Sequence, residues 1–129
     1  MKDLIERLEK ATGPDRDLDV AIAIATGWER RTHVGSDYTW RDPVSLGWEL
    51  CPWWFTSNLN AAVRLVPEGY WWSCGYCRRE CHASVGIDPT PEESATLESE
   101  HLEDGFGATV AIALCVAALK ARLAISAQP

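Results

Sequence analysis

The feature that most limits how this chain can fold is its longest uninterrupted apolar segment, residues 110–119. As an α-helix this segment would be only ~15 Å long, which is about half the thickness of a bilayer core. It is apolar on every face, whereas a surface helix keeps one polar face. We therefore predict a core helix, within a helical region at residues 106–125, that the rest of the chain surrounds.

A second stretch, residues 55–86, predicts a helix followed by a β-hairpin. Thr56 or Ser57 can cap the helix. Apolar residues then recur at the spacing of one buried helix face, at Leu59, Ala62, Val63 and Val66. The turn chemistry of residues 67–69 ends the helix. Strands are predicted at residues 70–74 and 78–85, and alternation in the second strand puts Cys81, Ala83 and Val85 on one face and His82 and Ser84 on the other.

The remaining segments complete the predicted architecture. Helices are predicted at residues 2–12 and 14–25, from an amphipathic stripe and from a Gly-Pro break followed by acids. Residues 28–54 read as loop with one short strand at 45–51, and residues 87–104 as a solvated loop. We predict a single α+β domain, residues 1–129, in which a small, mainly antiparallel sheet is layered between helices as an α/β/α sandwich.

Negative charge is concentrated in one part of the chain. The net charge is −7, and residues 80–119 contain no Lys or Arg. Direct binding to nucleic-acid phosphates is therefore disfavoured. The acids could form a surface that mimics nucleic acid, or they could only keep a loop solvated. The candidate contact acids are Glu92, Glu93, Glu98 and Glu100.

The densest cluster of reactive side chains is a Cys-rich segment in the predicted hairpin. Its candidate zinc ligands are Cys74, Cys77, Cys81 and His82. Zinc takes such ligands in a tetrahedron, but adjacent Cys81 and His82 would face opposite sides of a strand, and no second pair follows at the usual distance. The alternative is that the cysteines are small core residues. We expect no cofactor, with zinc as the alternative. A Cys nucleophile is not predicted, because the sequence spacing positions no base that could activate one of these thiols.

Seven Trp in 129 residues are the main compositional anomaly. Most would fill the core of a small sheet domain. Seven exceeds what such a core encloses easily, so we predict that one or two are exposed and anchor a protein partner. The candidates are Trp40, Trp53 and Trp54.

Three blocks resemble landmark segments of the phage ABA-sandwich domain family: DLIERLEKATGPDRDLDVAIA at residues 3–23, FTSNLNAAVRLVPEGYWW at 55–72 and ATVAIALCVAALKARL at 108–123. The blocks occur in the family's order. This resemblance implies an α/β/α sandwich encoded by a phage or prophage, with no established activity and no site residues to carry over.

These expectations together predict a function class. We expect a non-enzymatic phage accessory protein that acts through contacts with a phage or host protein. The alternatives are an acidic inhibitor of a host or defence protein and a small zinc-binding module. The N-terminal sequence MKDLIERLEK has charge where a signal peptide is apolar, so we expect the cytoplasm of the bacterial host cell and no membrane association.

Overall fold

The computed structural model of the chain describes residues 1–30, 40–87 and 101–126. Its helices are α1 (Lys2–Lys10), α2 (Arg16–Ala25), α3 (Leu59–Val63) and α4 (Val110–Ser126). Its strands are β1 (Glu29–Arg30), β2 (Trp40–Arg41), β3 (Trp48–Glu49), β4 (Trp71–Cys77), β5 (Glu80–Ile87) and β6 (His101–Gly107). The predicted α+β class, with a small antiparallel sheet packed against helices, is confirmed.

Helix α4 is the centre of the fold, as its apolar sequence predicted. Every residue from Ala111 to Leu119 is buried. Strands β5 and β6 pack against this helix, and α1 and α3 pack against it as well. None of the described helices is long and apolar enough to cross a membrane. The predicted helical region began at residue 106, but the helix begins at Val110, where the hydroxyl of Thr109 accepts a hydrogen bond from the Ile112 amide at 3.1 Å.

The strands form two antiparallel sheets of three strands each. The first has the order β1-β2-β3, and its strands are two residues long, so the strand predicted at residues 45–51 shrinks to Trp48–Glu49. The second has the order β4-β5-β6, with Cys74 opposite Ala83 and Ala83 opposite Gly105. The predicted hairpin is therefore present, and β6 adds a third strand to it.

Strand β6 was wrongly predicted to be loop over residues 101–104. The reason is that the positions facing α4 carry glycine instead of large apolar residues. A Cβ atom on Gly105 would overlap the Ala113 carbonyl oxygen and lie 2.6 Å from the Ala117 amide nitrogen. A Cβ atom on Gly107 would lie 2.6 Å from the Ile112 methyl carbon Cγ2. The backbones approach so closely that no side chain fits, and the usual apolar alternation of a strand is absent.

Helix α3 begins one residue later than a cap at Ser57 predicts and two residues later than a cap at Thr56 predicts. Its cap is Asn58, whose side-chain oxygen accepts from the amides of Asn60 and Ala61 at 2.9 and 3.4 Å. Thr56, one of the two predicted caps, is fully buried and holds a different position in the fold. Its hydroxyl and amide form hydrogen bonds with Asp15 and Asp19, about forty residues earlier in the sequence. These bonds fix the loop that precedes α3.

Candidate functional site

A buried carboxylate anchors the loop that carries Trp53 and Trp54. The side chain of Asp19 in α2 is 1% exposed. Its Oδ1 atom accepts hydrogen bonds from the Thr56 amide at 2.7 Å and from the Thr56 hydroxyl at 2.8 Å. The Thr56 hydroxyl also accepts from the Asp15 amide at 2.9 Å, at the N-cap of α2. These bonds join residues about forty positions apart, so the loop is held rigidly against α2.

Arg16 extends this network to the protein surface. Its NH1 group donates to Asp19 Oδ2 at 2.8 Å, and its NH2 group donates to the Pro52 carbonyl at 3.2 Å. The guanidinium carbon lies 4.5 Å from the centroid of the Trp54 ring, which is a cation–π distance. Trp54 itself is 54% exposed. An indole that is more than half exposed is thus held on one side by an arginine whose own position is fixed.

Trp53 is half-buried and lines two cavities. Its ring meets Trp28 edge to face, with centroids 5.5 Å apart, and lies 6.3 Å from the ring of Phe55. The Arg64 guanidinium lies 5.1 Å from the Trp53 centroid. Because aromatic pairs and a cation–π contact surround it, Trp53 has a defined orientation.

The smaller cavity has a volume of about 290 Å³ and adjoins the exposed indole. It is lined by Trp53, Trp54, Asn58, Asn60, Ala61 and Arg64. We call the exposed part of this set the Trp54 patch, defined as Trp54, Asn58, Asn60 and Arg64. All four of these residues are exposed. The patch therefore offers one aromatic ring, two amides and one guanidinium to a partner.

The larger cavity, of about 840 Å³, shares Trp53 and Arg64 with the smaller one. Its aromatic lining comprises Trp28, Trp53 and Phe55, and its aliphatic lining includes Val66 and Ile125. Arg122 from α4 also lines it. We call this cavity the Arg122 cleft.

Cys115 does not provide a nucleophile for either cavity. The thiol is fully buried in α4 and donates to the Phe55 carbonyl at 3.4 Å. Burial, with a contribution from the charge of Asp19, raises the pKa of this thiol far above its ordinary value. The residue remains a neutral thiol and acts as a core side chain.

The three Trp residues named as candidates for one or two exposed anchors differ in the structure. Trp54 is exposed, whereas Trp53 is half-buried. Trp40 is only 6% exposed, and the Arg30 guanidinium lies 5.5 Å from its ring. The choice of Trp40 as a candidate for an exposed anchor is wrong, because β2 holds its side chain in the core, and Trp54 is the candidate that is exposed.

The register of the hairpin separates the predicted zinc ligands. Cys74 lies opposite Ala83 and Cys81 opposite Tyr76, which places both cysteines on the face that packs against α4. His82 lies opposite Gly75 and Cys77 opposite Glu80, on the other face. Within residues 1–30, 40–87 and 101–126, no group of three or more Cys, His, Asp or Glu could hold a metal ion. The predicted contact acids Glu92, Glu93, Glu98 and Glu100 lie outside the described residues.

Sequence reasoning missed the arginines that lie beside the Trp residues and the cavities. Arg16, Arg64 and Arg122 lie in three different helical segments, and only the fold brings them near the Trp residues. One signal was present: Lys120 and Arg122 are two charged residues near the end of a helix that is apolar before them. Compared with known proteins, the chain matches no family model, no curated protein and no solved structure.

Proposed function

We propose that this chain is a non-enzymatic protein-binding domain that contacts its partner through the Trp54 patch. In keeping with the resemblance to the phage ABA-sandwich domain family, we place it among phage or prophage accessory proteins that act in the cytoplasm of the host cell. The observation that carries the proposed binding role is Trp54, which is 54% exposed on a loop fixed by Asp19 and Arg16.

The composition and rigidity of the patch support this role. Trp and Arg are the residue types that most often dominate the binding energy of protein interfaces, and amides provide hydrogen bonds around them. Arg16 already orients the indole at 4.5 Å, so a partner would not have to immobilise a mobile side chain. Binding therefore costs less conformational entropy than it would for a freely rotating Trp.

The experiment compares three immobilised baits in a host lysate: the wild type, Trp54→Ala and Trp72→Ala. Trp72 is a matched control because it is also substantially exposed, at 40%, but lies on β4 away from both cavities. We expect a protein retained by the wild type and by Trp72→Ala to bind Trp54→Ala about thirtyfold more weakly, as for a hot-spot residue. Equal retention by all three baits would refute the role of the patch.

A fourth bait separates this proposal from an acidic surface that acts as an inhibitor. It replaces Glu92, Glu93, Glu98 and Glu100 with Gln. A partner held by those acids would be lost from this bait, and also from the wild type as the salt concentration rises from roughly 0.1 M to roughly 1 M, where the Debye length falls to about 3 Å. A partner held by the Trp54 patch would remain under both conditions.

A further inference from the structure

Arg122 is a half-buried cation in an apolar cleft. Its Nε atom donates to the Leu65 carbonyl at 2.6 Å. Among residues 1–30, 40–87 and 101–126, the structure gives the guanidinium no carboxylate within ion-pair distance. Burial lowers the pKa of Arg122 from its ordinary value, yet an arginine in a protein stays protonated. The cleft thus contains a partly desolvated positive charge, with N–H donors beyond Nε that can bind an anion.

The walls of the Arg122 cleft suit a flat apolar group. Trp28 and Phe55 are 7% and 1% exposed, and Trp53 packs against both. Because Trp28 and Phe55 are packed in the core, they fix the half-buried ring of Trp53, and this ring is a preformed apolar wall of the cleft. A volume of about 840 Å³ lies within the range of roughly 300–1,000 Å³ typical of small-molecule sites.

Two carboxylates also line the cleft, and neither prevents an anion from binding. Asp42 is buried, and its Oδ1 atom accepts from the amides of Val44 and Ser45 at 2.8 and 3.4 Å, so the turn that carries it already stabilises its charge. Glu68 is exposed, and water screens its charge. Arg64, the second cation of the lining, adds positive charge.

We infer that the Arg122 cleft binds a small organic anion: a carboxylate attached to a planar aromatic or conjugated body. The carboxylate pairs with the guanidinium of Arg122, and the planar body packs against the half-buried ring of Trp53, which Trp28 and Phe55 hold in place. This inference goes beyond the proposed protein contact. The cleft and the Trp54 patch share Arg64, but Arg122 lines only the cleft and Trp54 lines only the smaller cavity.

The experiment uses cinnamate and cinnamyl alcohol, which share a planar skeleton and differ in the carboxylate. Binding to the full chain is measured by calorimetry. We expect the wild type to bind cinnamate at least about tenfold more tightly than cinnamyl alcohol, since the charged hydrogen bonds form only with the carboxylate. Arg122→Met should remove this preference. Lys120→Met removes a cation from the same helix outside the cleft and should keep it.

A second variant keeps the inference testable if Arg122→Met does not fold. Ile125 lines the cleft and is 41% exposed, so Ile125→Glu adds a carboxylate at the rim without a cavity in the core. It should weaken cinnamate binding severalfold and leave cinnamyl alcohol unaffected. Equal binding of the two probes to the wild type, no binding of either, or unchanged cinnamate binding in both cleft variants would each overturn the inference. Trp54→Ala should bind cinnamate normally, so failure of the patch and failure of the cleft are distinguishable.

Discussion

The Cys-rich hairpin and the Trp–Arg region arrange their functional side chains in opposite ways. In the hairpin, Cys74, Cys77, Cys81 and His82 are close in sequence, but the pleat of β4 and β5 puts them on two different faces. In the Trp–Arg region, the side chains come from separate segments of the sequence. Arg16 stacks on Trp54, and Trp54, Arg64 and Arg122 line two adjoining cavities. A cluster in sequence becomes a site only if the backbone periodicity turns its members to one side.

Helix α4 connects the two regions, since it packs against β5 and β6 and also supplies Arg122 to the cleft. The largest effect on both regions should come from Gly105→Ala. The new Cβ atom would meet backbone atoms of Ala113 and Ala117, which cannot rotate away. We expect the free energy of unfolding to fall by about 4 kcal/mol, as for a severe overpacking change. Urea unfolding followed by Trp fluorescence measures it.

The control for this change is Gly13→Ala, because a Cβ atom at Gly13 has no neighbour within 4 Å. It should leave the stability within about 0.5 kcal/mol of the wild type. If Gly105→Ala proved equally harmless, the close docking of β6 on α4 would be wrong. If Gly105→Ala disrupted the β4-β5-β6 sheet and left the Arg122 cleft intact, α4 would not couple the two regions.

The second prediction concerns the carboxylate that fixes the Trp-bearing loop. Asp19→Ala removes the acceptor for the amide and hydroxyl of Thr56 and the ion pair with Arg16. Buried donors without an acceptor are costly, so the free energy of unfolding should fall by about 3 kcal/mol. Because Arg16 also loses its anchor, binding through Trp54 should weaken together with stability.

Asp17→Ala is the matched control for Asp19→Ala. Asp17 lies in the same first turn of α2 but is exposed, so only its favourable interaction with the helix dipole is lost, at a cost of about 0.5 kcal/mol. A similar cost for the two substitutions would show that the Asp19 network does not hold the loop. Chemical denaturation at neutral pH distinguishes these outcomes.

These two regions also show how far the sequence alone leads. Helix α4 and the β4–β5 hairpin were predictable because hydrophobic runs and turn residues act locally. Strand β6 was not, because Gly105 and Gly107 replace the apolar residues that normally reveal a strand. Trp40 is buried and Trp54 is exposed because the fold brings different neighbours to the two rings. The sequence around each Trp does not reveal those neighbours.

The Arg122 cleft was beyond sequence reasoning for the same physical reason. Its aromatic wall combines Trp28 with residues of the loop before α3, and its cation comes from the end of α4. No periodic pattern links positions so far apart. The sequence did indicate that the Trp residues were too many for the core, which led to Trp54 but not to the arginines beside it.

The smallest effect should come from Cys77→Ser in the hairpin. Cys77 is exposed and lies on the opposite face from Cys74 and Cys81, so that only His82 of the other predicted ligands shares its face. Two ligands are too few for a tetrahedral zinc site. We expect the free energy of unfolding to change by less than about 0.5 kcal/mol, and protein purified without added metal to contain almost no zinc. A structural zinc site would give the opposite result, because the metal's binding energy would be part of the folding energy and the loss of one thiolate would cost much of it. One zinc per chain, lost in Cys77→Ser together with several kcal/mol, would mean that the hairpin does gather its ligands and that its contrast with the Trp–Arg region does not hold.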